Sequence, residues 1–215
     1  MTPELRKEAS ELRLHKRGIR INVQLHVIES DDEVVLRSVD ALIDRLLALW
    51  LVADAAQARV LTSARAMAEA HDLQRLLSRE EAAFLSDNTP DEATWHHFAS
   101  ASEALYFLAW CGGLLSDIQV SAKPSNMKAL ARYFPAALQD RSVLHRAVRL
   151  RPKAQILDWC DFLYRLHWAV RHAQLTNKAC PPNVHSAQVR EWHRAVNWLC
   201  AYEEEDDWDR VSTET

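Results

Sequence analysis

Glycine is almost absent: in 215 residues only Gly18, Gly112 and Gly113 occur. A β-sandwich or barrel uses many Gly-containing turns, so the shortage argues against an all-β fold. It also removes the Gly-rich strand-to-helix turns needed by dinucleotide and P-loop phosphate sites. Long apolar runs are scarce as well. The longest uncharged one, Ala104 to Leu115, is too short for a helix that spans a bilayer, so no membrane association is expected. The cysteines, Cys111, Cys160, Cys180 and Cys200, form no Cys-x-x-Cys pair. The opening Met1-Thr-Pro-Glu-Leu-Arg-Lys-Glu does not read as a secretory leader. Reduced thiols filling the core of a cytoplasmic protein are the expectation.

Catalytic and metal signatures are missing too. Ten histidines are present, yet no His-Glu-x-x-His or Glu-x-x-His spacing occurs. His96 and His97 are adjacent and point two ways from a helix, and His167 and His172 lie off a common face. No Gly-x-Ser-x-Gly elbow or cysteine-nucleophile signature is found. Neither a metal nor a cofactor is expected.

What is present is helical periodicity. The apolar fraction of 48% is ordinary for a chain that buries a core, and the length suits one domain. An all-α fold of about six to eight helices is expected. Residues 1–29 read as a basic helix ending at Gly18 and an extended arm. In that arm Ile19, Ile21, Val23, Leu25 and Val27 alternate with polar residues, a strand signature. The strand would pair with Ile118–Ala122 or Trp208–Thr215, or lie across helices as an arm. Ser30-Asp-Asp-Glu33 has capping-box spacing and predicts the start of the next helix, with Val35, Val39, Leu42, Leu46, Leu49 and Ala53 as its stripe.

Further helices are expected over about Thr62–Leu77, from Ser78-Arg-Glu-Glu81 to Leu85, from Thr89-Pro-Asp-Glu92 to Cys111, and from Ser125 to Tyr133. Pro135–Arg151 reads as loop with a short helix. A long helix follows Pro152 to about Leu175, and a last one runs from Ser186 to Tyr202. Trp198 and Tyr202 lie off that last helix's main stripe, so another element or a partner must cover them.

Charge is uneven around a net −4. Lys123–Lys153 holds eight Lys/Arg against Asp140 alone, and Glu203–Asp207 is wholly acidic, within a tail at 203–215. Solvated faces are the ordinary explanation, and nucleic acid is not an expected partner.

The helix after Pro152 is apolar nearly all round, which predicts a helix buried in the middle of the domain. Asp158, Asp161, Arg165 and His172 share a narrow stripe on it, with Trp168 beside them. Asp161 and Arg165 are four apart, acid first, the favourable order for an intrahelical pair. Buried charges must pair, reach water or hold a ligand. The stripe is therefore either a structural network or, with Tyr164 and His167, a polar pocket. Glu103 is isolated in an apolar run, and Arg37, Arg45 or Arg194 is expected to meet it.

Leu150-Arg-Pro152, Ile156-Leu-Asp158, Asp161 and Tyr164-Arg-Leu-His-Trp-Ala169 together resemble the signature block of the bacterial family catalogued as domain of unknown function 4272 (DUF4272). The ending Arg194-Ala-Val-Asn-Trp-Leu199 with Trp208-Asp-x-Val-x-Thr213 is similar to that family's, as are Leu36-Arg-Ser38 with Arg45 and Glu103-Ala-Leu105 with Trp110. The resemblance implies a helical domain in bacterial cytoplasm and brings no activity with it. Two functions are carried forward. One is a protein-binding module, such as an immunity protein that neutralises a toxin with charge steering the encounter. The other is a small-ligand binder or enzyme that uses Asp161, Arg165 and His172.

Overall fold

The computed structural model describes residues 1–134 and 141–215. Eight α-helices are present among them: α1 (Pro3–Lys16), α2 (Val39–Ala58), α3 (Leu61–Ala70), α4 (Arg79–Ser86), α5 (Glu92–Cys111), α6 (Ser142–Ala147), α7 (Lys153–Leu175) and α8 (Ser186–Leu199). Helix α2 carries no charge from Leu46 to Ala53 and α5 none from Ala104 to Cys111, so both are driven inward on all sides. They pack on each other. Helix α8 covers α5, α7 covers α8 and α1 covers α7, while α3 lies on α2 and α4 on α3. Helix α7 is thus one layer in from α1, and α2 and α5 form the heart of the fold. The exposed end of α7 carries Leu175, 80% open to solvent.

Between α5, α7 and α8 sits a cluster of aromatic rings. Trp159 meets Phe107, Trp110, Phe162 and Trp192 edge to face, and Arg13 of α1 lies over Trp159 and Phe162 at 4.4 and 3.9 Å. Such rings combine large buried area with directional ring contacts. The chain enters α7 through a turn that needs glycine. Gly113 has φ +74°, and a Cβ there would sit 3.0 Å from the Arg149 carbonyl. The close approach lets Arg149 N donate to Gly112 O and Arg151 N to Cys111 O, both at 2.9 Å.

Several helix starts follow the expected chemistry. Ser78 and Glu81 make a full capping box at α4, Gly112 ends α5, and α7 begins directly after Pro152. Others differ. Ser30–Glu33 forms an isolated turn, in which the Glu33 carboxylate accepts from Ser30 N and Oγ at 2.9 and 2.7 Å, and α2 starts only at Val39 under an Ser38 cap. Val35, expected on the buried stripe, is 74% exposed. Asp91 rather than Thr89 caps α5, and α3 stops at Ala70 with a short 3-10 turn at Gln74–Leu76. Ser125 caps nothing; Asn126 caps a 3-10 turn at Met127–Leu130. Of the stretch expected from Pro135, residues 135–140 lie outside the described residues, and α6 supplies the short helix.

No strand forms among the described residues, so neither Ile118–Ala122 nor Trp208–Thr215 pairs with the arm. Ile19 and Leu25 are buried, but Val23 and Val27, expected on the same side, are exposed, so the arm does not keep a strand's two-residue period. The arm's carbonyls are satisfied by side chains instead. Lys7 Nζ donates to Val23 O and Leu25 O at 2.7 Å each.

At least half of the basic run after Lys123 is engaged within the molecule. Arg151 donates to the carbonyls of Trp110, Leu115 and Ser116, Lys153 to Val34 O, Arg149 to His145 O and Val148 O, and Arg141 pairs with Asp44. The acidic stretch is likewise tied down in part, through Arg37–Asp206 at 2.8 Å and Arg210–Glu205 at 3.3 Å. No described helix is long and apolar enough to cross a membrane.

Candidate functional site

The predicted stripe of α7 is a clamp on α1 and the arm. Asp161 is fully buried and takes two hydrogen bonds from Arg165, at 2.7 and 3.0 Å. Arg165 also donates to His26 O at 2.9 Å and lies 3.7 Å from the Glu11 carboxylate of α1. One turn earlier Asp158 accepts from Arg6 at 2.9 Å, and Arg6, itself buried, bridges to Asp31 of the Ser30–Glu33 turn at 2.7 Å. The Arg6 guanidinium holds the Asp31 carboxyl below the usual range. His172 stacks on Trp168 at 4.9 Å, apart from this ion-pair chain. Asp158, Asp161 and Arg165 thus act on one face, and His167 and Tyr164 face α8.

Glu103 meets none of the three arginines expected for it. Its carboxylate accepts from Ser125 N and Oγ, and Gln188 of α8 donates to the same Ser125 hydroxyl. Glu103 thereby fixes the loop after α5. Arg45 pairs with Glu81, Arg37 with Asp206, and Arg194 lies 3.8 Å from Glu191 and donates to Trp208 O. Each of the three arginines is thus engaged by another partner.

On the α8 side a directed chain of hydrogen bonds runs through the core. Asn197 Nδ2 donates to Ser212 O at 2.9 Å and lies 3.3 Å from His193 Nε2. His193 Nδ1 lies 3.0 Å from His167 Nδ1. The amide donates to His193, so the His193 proton sits on Nδ1 and is given to His167, whose own proton is then on Nε2. Both rings are buried and neutral. Burial pulls His167 down to about 4 and His193 to about 3.

An acid-sensitive stability follows. Unfolded, both imidazoles take a proton near pH 6.5; folded, they resist until pH falls to about 4 or below. The unfolded state binds more protons in that window, so stability falls with falling pH there and carries no such penalty above pH 7. At about 1.4 kcal/mol per pKa unit, the pair should remove roughly 4 kcal/mol between pH 7 and pH 5. Urea midpoints at the two pH values measure this, and His193→Gln should flatten the slope.

Beside this chain lies a two-lobed cleft. One lobe of about 420 Å³ is bounded by His26–Glu29, Cys160, Tyr164, His193, Asn197, Tyr202, Glu214 and Thr215. The second, of about 390 Å³, shares Ile28, Glu29, Cys160, Asn197 and Tyr202 with it and extends to Glu33, Cys200, Glu203 and Glu204. Among the described residues no lysine or arginine lines either lobe. Tyr164 is half-buried, its hydroxyl makes no hydrogen bond among the described residues, and burial raises its pKa so that it stays a donor. A hydrogen bond with Cys200, together with burial, holds the Cys160 thiol well above the usual cysteine range. It is therefore a neutral wall and a poor nucleophile. Asn197 is 5% exposed, and among the described residues its oxygen has the Cys160 thiol, at 3.9 Å, as its one hydrogen-bond donor.

Of the residues predicted from sequence, Tyr164 alone lines this cleft, and His167 backs it through His193. Glu29, Cys160, His193, Asn197 and Tyr202 were missed. The available signal was His193 and Asn197, polar and four apart in a strongly amphipathic helix.

The molecule is an all-helical single-domain protein in which an ionic clamp and a buried histidine pair flank an acid-rimmed cleft. The chain belongs to the family described as Domain of unknown function (DUF4272), whose profile matches residues 6–211. No curated protein and no solved structure matches it.

Proposed function

We propose that this chain is a binding protein whose small ligand occupies the cleft between the arm, α7, α8 and the C-terminal segment. One observation carries the reading. Asn197, buried and held by Ser212 and His193, lines both lobes of the cleft, and its oxygen accepts only a long contact from the Cys160 thiol at 3.9 Å among the described residues. Fixed polar groups in a concave site of several hundred Å³ are the usual make-up of a small-molecule site. Asp161 and Arg165 support the walls and do not touch the ligand. A ligand present at a hundred times its Kd adds about 2.7 kcal/mol, which raises Tm by roughly 5–10 °C for a chain of this size. Thermal-shift screening of a metabolite panel tests this. A compound that stabilises the wild type and loses its effect with Glu29→Gln or Tyr164→Phe supports the reading; a panel without a hit, or hits indifferent to both variants, ends it.

A second reading is a protein partner, such as a basic toxin that the chain neutralises. Its support is that Glu203, Glu204, Asp206 and Asp207 are exposed together, where charge steers encounter. Salt-sensitive co-purification of one basic protein, lost when these four residues are neutralised, is the expected result.

A further inference from the structure

We propose that Cys160 and Cys200 are a redox pair in the wall of the cleft, joined as a disulfide by hydrogen peroxide and reopened by a strong reducing dithiol. The inference stands whether or not the cleft holds a ligand. All four cysteines are free thiols. Among the described residues only Cys160 and Cys200 of the four line the second lobe, of about 390 Å³. Cys111 is fully buried, and Cys180 is exposed between α7 and α8.

Helix packing brings the two thiols together. Cys160 lies on α7, and Cys200 is the C-cap of α8, which packs against α7. The Cys160 sulfur is 3.9 Å from Asn197 Oδ1, and Asn197 precedes Cys200 by one turn on the same side of the chain. A hydrogen bond joins the two thiols. Closing to an S–S length of about 2.05 Å moves a helix end rather than a helix interior. Past Cys200 the chain turns away through Ala201 at φ +49°. Thiols already in contact react at a high effective concentration, ahead of any second molecule.

The chemistry balances with one peroxide. One thiol loses its proton, and its sulfur attacks a peroxide oxygen. The O–O bond breaks, hydroxide leaves and takes up a proton as water, and a sulfenic acid remains. The second sulfur then attacks the sulfenic sulfur. The S–O bond breaks as the S–S bond forms, and the oxygen leaves with the second thiol's proton as another water. The hydrogen bond with Cys200 and burial keep Cys160 protonated. Attack is therefore slow, since the thiolate is the reacting form. The finished disulfide is in turn hard to reduce, because no stabilised thiolate favours the open pair.

The test uses the full chain carrying Cys180→Ser, which removes the exposed thiol. The protein is treated with millimolar hydrogen peroxide without denaturant, quenched with catalase, unfolded and alkylated with N-ethylmaleimide. Intact mass spectrometry should show one alkylated thiol in place of three, and a non-reducing tryptic digest should yield the peptide that joins Cys160 to Cys200. Dithiothreitol should restore all three thiols. The bond closes a loop of about 40 residues and should raise Tm by roughly 5–10 °C. Three alkylated thiols after treatment overturn the proposal, as does a cross-link to Cys111. Oxidation of Cys160 or Cys200 to sulfinic acid with no S–S bond overturns it too. So does a bond between the two that lowers Tm, because they would then have met only in a distorted chain. Cys160→Ser and Cys200→Ser should each abolish the cross-link, and the peptide map of the parent chain decides the matter even if either variant fails to fold.

Discussion

Asp161→Asn should lower the unfolding free energy by about 3–5 kcal/mol, because it leaves Arg165 charged, buried and without its carboxylate. Asp161 is fully buried and Arg165 is 2% exposed, so water cannot take over. The remaining partners are weak substitutes: His26 O accepts one N–H at 2.9 Å, and Glu11 stands 3.7 Å away. That nearby acid places the expected loss at the lower end of the range. Urea denaturation followed by circular dichroism measures it. The double variant Asp161→Leu/Arg165→Met should recover much of the loss, since removing both members of a buried pair is often near neutral. A single variant with wild-type stability but no ligand binding would instead make Asp161 part of a site. The same measurement therefore separates the two uses foreseen for the stripe.

Local chemistry made some of this readable in the sequence. Asp161 and Arg165 are four apart on a helix opened by Pro152, and both helix and pair exist because each needs only residues within one turn. The Ser78–Glu81 box is equally local. Errors arose where a local signal had two outcomes. Ser30 and Glu33 satisfy each other in a lone turn as well as they would at a helix start, and Ser38 offers the better cap for the run beginning at Val39. Alternation from Ile19 to Val27 reads as a strand, yet Lys7 and Arg165 take the arm's carbonyls that a strand partner would have taken. The cleft was hidden for a different reason. Glu29, Cys160, the His193–Asn197 pair and Glu214 are far apart in the chain and meet only after α7, α8 and both terminal segments have packed. No periodicity encodes that meeting.

The C-terminal segment brings the second large effect: Trp208→Ala should cost about 3–5 kcal/mol. Trp208 is 5% exposed, with the guanidiniums of Arg45 and Arg194 at 4.7 and 4.5 Å from its ring and Trp198 edge-on at 5.9 Å. It therefore covers the second apolar face of α8, which the sequence left to another element or a partner. The backbone is fastened at the same place, with Arg194 donating to Trp208 O and Asp209 accepting from Glu80 N, both at 2.9 Å. Removing the ring opens a cavity over the Arg45–Glu81 pair and frees residues that lead to Ser212, the carbonyl that orients Asn197. Stability and cleft binding should then fall together. Urea unfolding by circular dichroism reads the first and the ligand-induced thermal shift the second, while faster limited proteolysis after Arg210 shows the segment released. Trp208→Phe keeps an aromatic face for both arginines and should lose less than half as much. If alanine instead left stability within about 0.5 kcal/mol of wild type, as a surface change does, the segment would be a loosely held tail, and Asn197 would owe its orientation to His193 alone.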